Sequence, residues 1–254
     1  MRTARALSGL AVHVARGHSQ RSPYCRAYGE ACEIVRAVLH ECEAPYVAFS
    51  CGKDSSVLAH IVTGVRPDIP LRLLSSGESR LMHDFDTVIG WFRGQGAIVE
   101  EINIDRVFSA EWAGASWDDQ RKAGRGDLDA LNRGHDCVFM GLRAAESRAR
   151  KATLSTHRTP GLPRNCYRYA VGTRAGMIRC CPLARWTDAD VGAYLALHDI
   201  PVLGWYHDHG IGARTTARLT GNAAREGVLT HMQRSNPAGF RALLARFPEL
   251  RDLL

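Results

Sequence analysis

Short apolar runs alternate with longer segments of helical periodicity along most of the chain, from Tyr24 to His198. The short runs have the length and composition of buried strands, and they are Tyr46–Ser50, Leu71–Ser75, Ala97–Ile104, Asp136–Gly141 and Met177–Cys181. Helical spacing predicts helices at Tyr24–Glu43, Asp54–Val65, Met82–Gln95, from Ala144 onward and at Asp188–His198. Strands that alternate with helices in this way indicate an α/β fold, in which helices cover both faces of a parallel sheet.

Composition excludes several classes of protein and favours an anionic partner. Of the 254 residues, 45% are apolar and 23% are charged, which excludes disordered, collagen-like and coiled-coil chains. The net charge of +7 favours an anionic ligand or partner. No run of about 18 apolar residues occurs, so we expect no membrane partner. Five arginines precede the first acidic residue, Glu30, and predict a basic N-terminal helical region rather than a targeting segment.

The cysteines favour a reduced, cytoplasmic protein. The chain has eight cysteines and no C-x-x-C spacing, so the prediction is of free thiols and a cytoplasmic location. Cys180 and Cys181 are adjacent, with Cys166 upstream. A metal or iron–sulfur cluster held by cysteines requires four thiolates. We therefore interpret these three cysteines as buried strand residues and expect no iron–sulfur cluster.

The segment after the first predicted strand carries the candidate chemistry. At the first βα turn of an open parallel sheet, the next helix presents unpaired N–H groups and a partial positive charge to phosphates. Gly52 lets the backbone approach a ligand closely, and Lys53 adds a positive charge. Asp54 either caps the helix or helps to hold Mg²⁺. The predicted phosphate-binding residues are Ser50, Cys51, Gly52, Lys53, Asp54, Ser55 and Ser56.

This loop resembles the PP-loop, S-G-G-x-D-S, of the adenine-nucleotide α-hydrolase superfamily, with Cys51 in place of the first glycine. Cysteine adopts a positive φ less readily than glycine does. Gly141–Arg150 resembles the G-x-R-x-x-E-S-x-x-R signature of the phosphoadenosine-phosphosulfate reductase family, and Pro182–Val191 is similar to its P-L-x-x-W-T-x-x-D-V segment. The other matches are Ser75–Glu78, at the family's T-G-x-E-like turn, and Pro201 with Tyr206.

The resemblance implies a Rossmann-like sheet of five parallel strands, in the order 3-2-1-4-5, that binds an adenine nucleotide. It implies a basic helical region at 1–44, a nucleotide-binding PP-loop domain at 45–206 and a helical extension at 207–254. The implied catalytic residues are Lys53, Asp54 and Arg143, with Asp54 as the metal ligand. Beyond the loop, the implied nucleotide-binding residues are Ser76, Gly77, Gly141, Arg143, Glu146 and Arg150.

The arginines of the Gly141–Arg150 segment suit anion binding. Arg143 and Arg150 are two helical turns apart, so they can face one way, and guanidinium groups match phosphate or sulfate. Glu146 is spaced to orient both. The alternative interpretation is a solvated network of surface ion pairs.

Within the family, the reductases use a C-terminal catalytic cysteine, and this sequence has no cysteine after Cys181. The resemblance therefore points to ATP pyrophosphatases, in which a substrate oxygen attacks the α-phosphorus and pyrophosphate leaves. The implied cofactors are ATP and Mg²⁺, and the acceptor, for sulfur or nitrogen transfer, is a small molecule or a nucleic acid. A sulfur-donor protein and a homo-oligomer are the other expected partners.

Two alternatives stay open. One is a PAPS- or APS-binding protein that borrows a thiol from a partner. The other is a non-catalytic nucleotide- or nucleic-acid-binding module that uses the basic run Arg214, Arg218, Arg225 and Arg234 with His207, His209 and His231. In either case the long polar segment Ser155–Gly176, with Arg158, Arg164, Asn165 and Arg168, is predicted to form a lid over the nucleotide.

Overall fold

Six strands form one sheet in the order β3-β2-β1-β4-β6-β5. They are β1 Pro45–Phe49, β2 Leu71–Ser75, β3 Val99–Asn103, β4 Cys137–Met140, β5 Cys166–Arg168 and β6 Ile178–Cys180. The computed structural model describes residues 5–7, 9–75, 77–103, 129–172, 174–215, 227–246 and 248–253. Neighbouring strands are parallel except for β5, which runs antiparallel to β6.

Strand β1 lies in the middle of the sheet because its side chains are apolar on both faces. Tyr46, Val47 and Phe49 are all buried. Val47 is aligned with Leu71 of β2 on one side and with Phe139 of β4 on the other. The chain therefore leaves β1 toward one edge of the sheet and later returns to build the opposite edge. Ligands of open α/β sheets bind at the carboxyl ends of the strands where the order reverses in this way.

Helices surround the sheet and follow the order of the chain. They are α1 Gly9–Ser19, α2 Ser22–Leu39, α3 Lys53–Val65, α4 Gly77–Met82, α5 Phe85–Gly94, α6 Arg148–Thr156, α7 Asp188–Leu197, α8 Gly204–His209, α9 Val228–Ser235 and α10 Pro237–Arg246, with short 3₁₀ helices at Ala144–Glu146 and Pro248–Leu253. No helix among the described residues is long and apolar enough to cross a membrane.

The helix α5 shows how the apolar pattern attaches a helix to the sheet. Its buried residues Phe85, Val88, Ile89 and Phe92 recur at the spacing of one helical face. The Phe92 ring meets the ring of Phe49 edge-on, with 5.1 Å between their centroids. Aromatic pairs prefer this geometry, so α5 is fixed against the central strand.

The basic N-terminal segment forms α1, which packs against α7. His18 Nε2 lies 2.7 Å from Asp190 Oδ1. Asp190 also closes the start of α7, where its side chain accepts from the backbone of Thr187. The three-region division at 1–44, 45–206 and 207–254 stays a prediction.

The fold class and the strand order predicted from the sequence are confirmed, with two differences in detail. The predicted strand at Met177–Cys181 is β6, beside β4, and the sheet continues beyond it with β5, a strand of three residues inside the segment predicted to be a lid. So short a strand gives too few alternating residues for a sequence signal. The predicted helix Met82–Gln95 corresponds to α5, which begins three residues later at Phe85, and it is preceded by the short helix α4, which was not predicted.

Candidate active site

A cavity of about 330 Å³ opens at the carboxyl ends of β1 and β4, where α3 begins. Its polar wall comes mainly from the loop after β1, with Ser50, Lys53, Asp54 and Ser55, and from Tyr206 of α8. Its apolar wall is formed by Ala48, Phe49, Leu74, Leu131, Met140 and Leu142. The position is the one that sequence reasoning predicted for phosphate binding, at the first βα turn.

The loop after β1 makes a tight turn at Cys51. Cys51 has a φ of 54°, in the left-handed region that glycine adopts at little cost. The residue is buried, and burial raises the pKa of its thiol well above the ordinary value. The chain therefore keeps a PP-loop-like backbone with a cysteine in the position where the motif has glycine. The thiol stays protonated and fills space beneath the loop.

Hydrogen bonds within the loop fix the two serines that line the cavity. The Ser50 backbone N–H donates to Ser55 Oγ at 3.2 Å, and Ser55 Oγ donates to the Gly52 carbonyl at 2.9 Å. Gly52 leaves room for this arrangement, since a Cβ would lie 3.2 Å from Ser50 Oγ and would require that side chain to shift. Ser56, by contrast, does not line the cavity; it is buried, and its Oγ has no hydrogen-bond partner in the described structure.

Gly141 brings the end of β4 against the start of α3. A Cβ at this position would lie 2.9 Å from the carbonyl carbon and oxygen of Asp54. Real Cβ atoms do not approach backbone so closely, so only glycine fits here without moving α3. The first residue of the G-x-R segment is therefore explained by close backbone contact with the first turn of α3.

Four charged side chains form a cluster behind the loop. Lys53 Nζ donates to Asp54 Oδ2 at 2.9 Å and lies 3.8 Å from Asp188 Oδ1. Arg143 Nε donates to Asp54 Oδ1 at 2.6 Å, and Arg143 Nη2 donates to Asp188 Oδ1 at 2.6 Å. Two cations and two carboxylates thus alternate at the ends of β1 and β4 and at the start of α7.

The structure corrects the predicted placement of Arg143. Its side chain is buried and does not line the cavity, because the guanidinium donates to Asp54, to Asp188 and to the Trp186 carbonyl. Burial on its own lowers the pKa of Arg143, but the charges of Asp54 and Asp188 outweigh it and raise that pKa overall. Arg143 therefore holds the loop and α7 together from behind, and Lys53 is the cation of this cluster that lines the cavity.

Glu146 links the two ends of the Gly141–Arg150 segment, as expected from the spacing. It accepts from the Arg143 backbone N–H at 2.9 Å and pairs with the Arg150 guanidinium. Glu146 and Arg150 both line the cavity. The two arginines do not face one way, since Arg143 turns inward and Arg150 turns toward the cavity.

Sequence reasoning did not assign to the site four residues that the structure brings there. Tyr206 was noted in the sequence only as one of the matched family positions. Its Oη accepts a hydrogen bond from the Lys53 backbone N–H at 3.4 Å. Burial raises the pKa of Tyr206, so its hydroxyl stays protonated beside the loop. Asp188 was inside a matched segment but was not singled out. Arg214 and Thr215 also line the cavity, and only Arg214 had been named, in the basic run.

Asp54 does not offer a free carboxylate to a metal ion in this arrangement. Both of its oxygens accept from cations, Lys53 and Arg143, whereas Asp188 accepts from Arg143 through Oδ1. Mg²⁺ is usually held by one or two carboxylates together with phosphate oxygens. No group of three His, Cys, Asp or Glu suited to a metal occurs in the parts of the chain that the structure describes. Asp54 could bind Mg²⁺ only after giving up a hydrogen bond to Lys53 or Arg143, and its role as the metal ligand stays a prediction.

The three cysteines singled out by the sequence are buried, as interpreted from the strands. Cys166 and Cys180 are opposite each other on β5 and β6, with 3.2 Å between their sulfur atoms. Burial raises the pKa of both Cys180 and Cys181. All three are free thiols.

Several other predicted residues lie away from the cavity or outside the described residues. Ser76, Arg218 and Arg225 fall outside them, and Gly77 begins α4. No described residue of the Ser155–Gly176 segment lines the cavity, so the predicted lid does not cover it here. His209 and His231 pack around Trp205, with the His209 and Trp205 rings stacked at 3.8 Å.

Comparison with known proteins places this site in a family. The model of the phosphoadenosine phosphosulfate reductase domain matches residues 44–219, and the chain belongs to this family. The matched range contains the whole cavity.

Curated relatives include two sulfate adenylyltransferase subunits. Subunit 2 of this enzyme from Rhizobium johnstonii is 30% identical over 211 residues, which cover 73% of this chain and 64% of the relative. Subunit 2 from Rhizobium meliloti is 31% identical over 213 residues, 72% of this chain and 64% of the relative. The chain thus spans less than two thirds of the length of these relatives. A solved phosphoadenylyl-sulfate reductase from Candida auris, a phosphate complex, has a TM-score of 0.48 and 18% identity over 81% of this chain and 93% of its own.

Proposed function

We propose that the cavity binds ATP and that the protein transfers the adenylyl group to an acceptor oxygen with release of pyrophosphate. The observation that carries this proposal is the position of Lys53. Its ammonium group is buried at the wall of the cavity, next to the N-terminus of α3. A fixed positive charge and free helix N–H groups at one point are suited to phosphates.

The two walls of the cavity match the two halves of an adenine nucleotide. The side chains of Leu74, Leu131 and Met140 offer an apolar surface of the kind that receives a flat base. Ser50, Ser55 and the start of α3 offer hydroxyl and amide donors at the other wall. Arg150 and Arg214 add two more positive charges at the rim.

The proposed reaction breaks one phosphoanhydride bond. A lone pair of the acceptor oxygen forms a bond to the α-phosphorus, and the bond from that phosphorus to the α,β-bridging oxygen breaks. The electron pair leaves with pyrophosphate, which therefore gains negative charge in the transition state. Lys53 and the helix N-terminus stabilise that charge without reorganising, because both are already fixed in place.

Arg143 acts in this proposal as a positioning residue. It holds Asp54 and Asp188, and these two carboxylates hold Lys53 Nζ in turn. When phosphates enter the cavity, Lys53 has donors left for them, since its ammonium carries three hydrogens. The direction of the ammonium is set by the pair of carboxylates behind it.

Sulfate is the first acceptor to test, because curated relatives carry the name sulfate adenylyltransferase subunit 2. The word subunit in that name also suggests that a second protein chain assists the reaction. The alternative, binding of a sulfonucleotide in a reductase-like reaction, is favoured by the name of the matching family. Competition separates the two, since a sulfonucleotide site would prefer PAPS or APS to ATP.

The test measures pyrophosphate release from ATP, with sulfate or another acceptor present and inorganic pyrophosphatase added to remove the product. We expect Lys53→Met to lower the rate by about 100-fold or more, as for loss of one electrostatic group in other enzymes. Arg16→Met, on the exposed side of α1, also removes one positive charge and serves as the control. Normal ATP binding with no pyrophosphate release for any acceptor would overturn the proposal.

A further inference from the structure

The basic residues of the chain are concentrated in one stretch. Between Ser147 and Thr187 the sequence has nine of the 33 Lys and Arg residues and no Asp or Glu. The rest of the chain carries 24 basic and 26 acidic residues, so the net charge of +7 comes entirely from this stretch. A field of one sign attracts and steers a partner of the opposite sign.

The fold brings the segment after α6 against β5, at the outer edge of the sheet. The His157 ring, just after α6, lies 4.9 Å from the Tyr167 ring of β5. The Arg168 backbone N–H donates to Thr159 Oγ1 at 2.8 Å, which joins β5 to the segment after α6. We call this surface the arginine face, defined by Arg148, Lys151, Arg158, Arg164, Arg168 and Arg174.

Most charges of the arginine face have no ion-pair partner in the part of the chain that the structure describes. Arg148, Lys151, Arg158 and Arg164 are exposed and form no ion pair within the described residues. For Arg168 the partner carboxylate is Glu41, 3.9 Å away and itself about half exposed. When a polyanion binds such exposed cations, counterions are released, and this release favours binding.

Aromatic rings lie among these cations. The Tyr167 and Tyr169 rings are 5.2 Å apart and partly exposed. Arg174 lies over the Tyr169 ring at 4.9 Å, and Arg179 lies over the Tyr167 ring at 5.5 Å. Alternating rings and guanidinium groups stack on nucleic-acid bases, whereas an acidic protein or a lipid surface would need only the charge.

The arginine face and the cavity share the helix α6. Arg150 lines the cavity, and Arg148 and Lys151, on the same helix, belong to the arginine face. A polymer that contacts Arg148 and Lys151 therefore lies beside the helix that contributes Arg150 to the cavity.

We propose that the arginine face binds nucleic acid with unpaired bases. The phosphates contact the arginines, and the bases stack on the rings of Tyr167, Tyr169 and His157. We also propose the acceptor of the adenylyl group on this basis: a base or sugar oxygen of the bound strand. This second part rests on the proposed function, whereas the binding surface does not.

The binding test uses fluorescence anisotropy of the full chain with labelled strands of about 20 nucleotides, longer than one binding site, and contains no ATP. The probes are single-stranded RNA, single-stranded DNA of the same sequence and a DNA duplex, each titrated at several salt concentrations. The first two probes distinguish an RNA from a DNA partner. The variant is K151Q/R158Q/R164Q, and the matched control is R16Q/R21Q/R26Q, which removes three exposed arginines from the N-terminal helices.

We expect the arginine-face variant to lose at least about tenfold in affinity and to flatten the slope of log affinity against log salt by about 2, the value for three lost phosphate contacts. The control keeps the original affinity and slope. His157→Ala weakens single strands by about tenfold and leaves the duplex unchanged, because only unpaired bases stack.

Equal losses in the two triple variants would overturn the proposal, because net charge alone would then explain binding. Absence of saturable binding would overturn it as well, and so would equally tight binding to phosphatidylglycerol vesicles. The acceptor part is tested separately by pyrophosphate release with RNA, DNA or sulfate. Release with sulfate but not with a bound strand would remove the acceptor assignment and leave the proposed function standing.

Discussion

Arg143 Nε lies 2.6 Å from Asp54 Oδ1, so the third residue after β4 and the second residue of α3 are joined by a buried ion pair. The same guanidinium reaches Asp188 in the first turn of α7. Three elements that are distant in the sequence therefore meet at one side chain directly behind the loop after β1. Substitution of this side chain tests whether the loop depends on it.

Arg143→Ala should lower the free energy of unfolding by about 3–5 kcal/mol, because it leaves the carboxylates of Asp54 and Asp188 without their shared partner. Urea unfolding measures the change. Arg148→Ala, five residues along and exposed, should change stability by less than about 0.5 kcal/mol. Similar losses in both variants would show that the buried pairing contributes little.

The strained backbone at Cys51 predicts an unusual order of stability between two small substitutions. Both Cys51→Ala and Cys51→Gly remove the buried thiol, but only glycine relieves the positive φ of 54°. We expect Cys51→Gly to be more stable than Cys51→Ala by about 1 kcal/mol, opposite to the order at an ordinary position. Chemical unfolding curves of the two variants measure this difference in the free energy of unfolding. An alanine variant as stable as the glycine variant would argue against strain in the loop.

Close contact at Gly141 predicts that a single methyl group disturbs the site. Gly141→Ala places a Cβ against the Asp54 backbone and should destabilise by about 1–3 kcal/mol and weaken ATP binding. Gly90→Ala in α5 meets no atom within 4 Å and should be neutral or stabilising by up to about 1 kcal/mol. Calorimetric ATP titration of the two variants shows whether the defect is specific to the loop.

Burial of His60 predicts a loss of stability in mild acid. Burial, with a smaller effect of the His198 charge, lowers the pKa of His60 from 6.5 to about 4. Between these pH values the unfolded chain binds more protons at this residue than the folded chain does. The stabilisation is therefore complete above about pH 6.5 and is lost as the pH falls toward 4, with a slope of at most about 1.4 kcal/mol per pH unit.

Unfolding measured from pH 7.5 to 4.5 checks this prediction. His60→Gln should flatten the pH dependence of the unfolding free energy, whereas His40→Gln, at an exposed position, should leave it unchanged. His60 Nδ1 lies 2.8 Å from Tyr194 Oη, and glutamine retains a group able to make that contact. An unchanged slope in the His60 variant would assign the acid sensitivity to other residues.

The sequence predicted most of the fold because the central strands are short, apolar and clearly bounded. Leu71–Ser75 was predicted with the same bounds that the structure has, and α3 begins one residue before its predicted start. The turn between the first strand and α3 was also predicted, whereas phosphate binding by Ser50–Ser56 stays a prediction.

Side-chain directions could not be obtained in the same way. The spacing of Arg143 and Arg150 suggested a common face, but a 3₁₀ turn at Ala144–Glu146 separates them, and the carboxylates of Asp54 and Asp188 draw Arg143 inward. Asp188 is distant in the sequence from its partners, so no local pattern could assign it to the site. Tyr206 reaches the loop only through the placement of α8.

The antiparallel strand β5 determines how this edge of the sheet behaves toward other chains. It is only three residues long, and its last residue is the cationic Arg168. Strands that are short and charged resist edge-to-edge pairing, which is a common route to aggregation. The sheet edge that bears the arginine face is thereby protected from pairing with strands of other chains. It remains accessible to partners that bind through side chains.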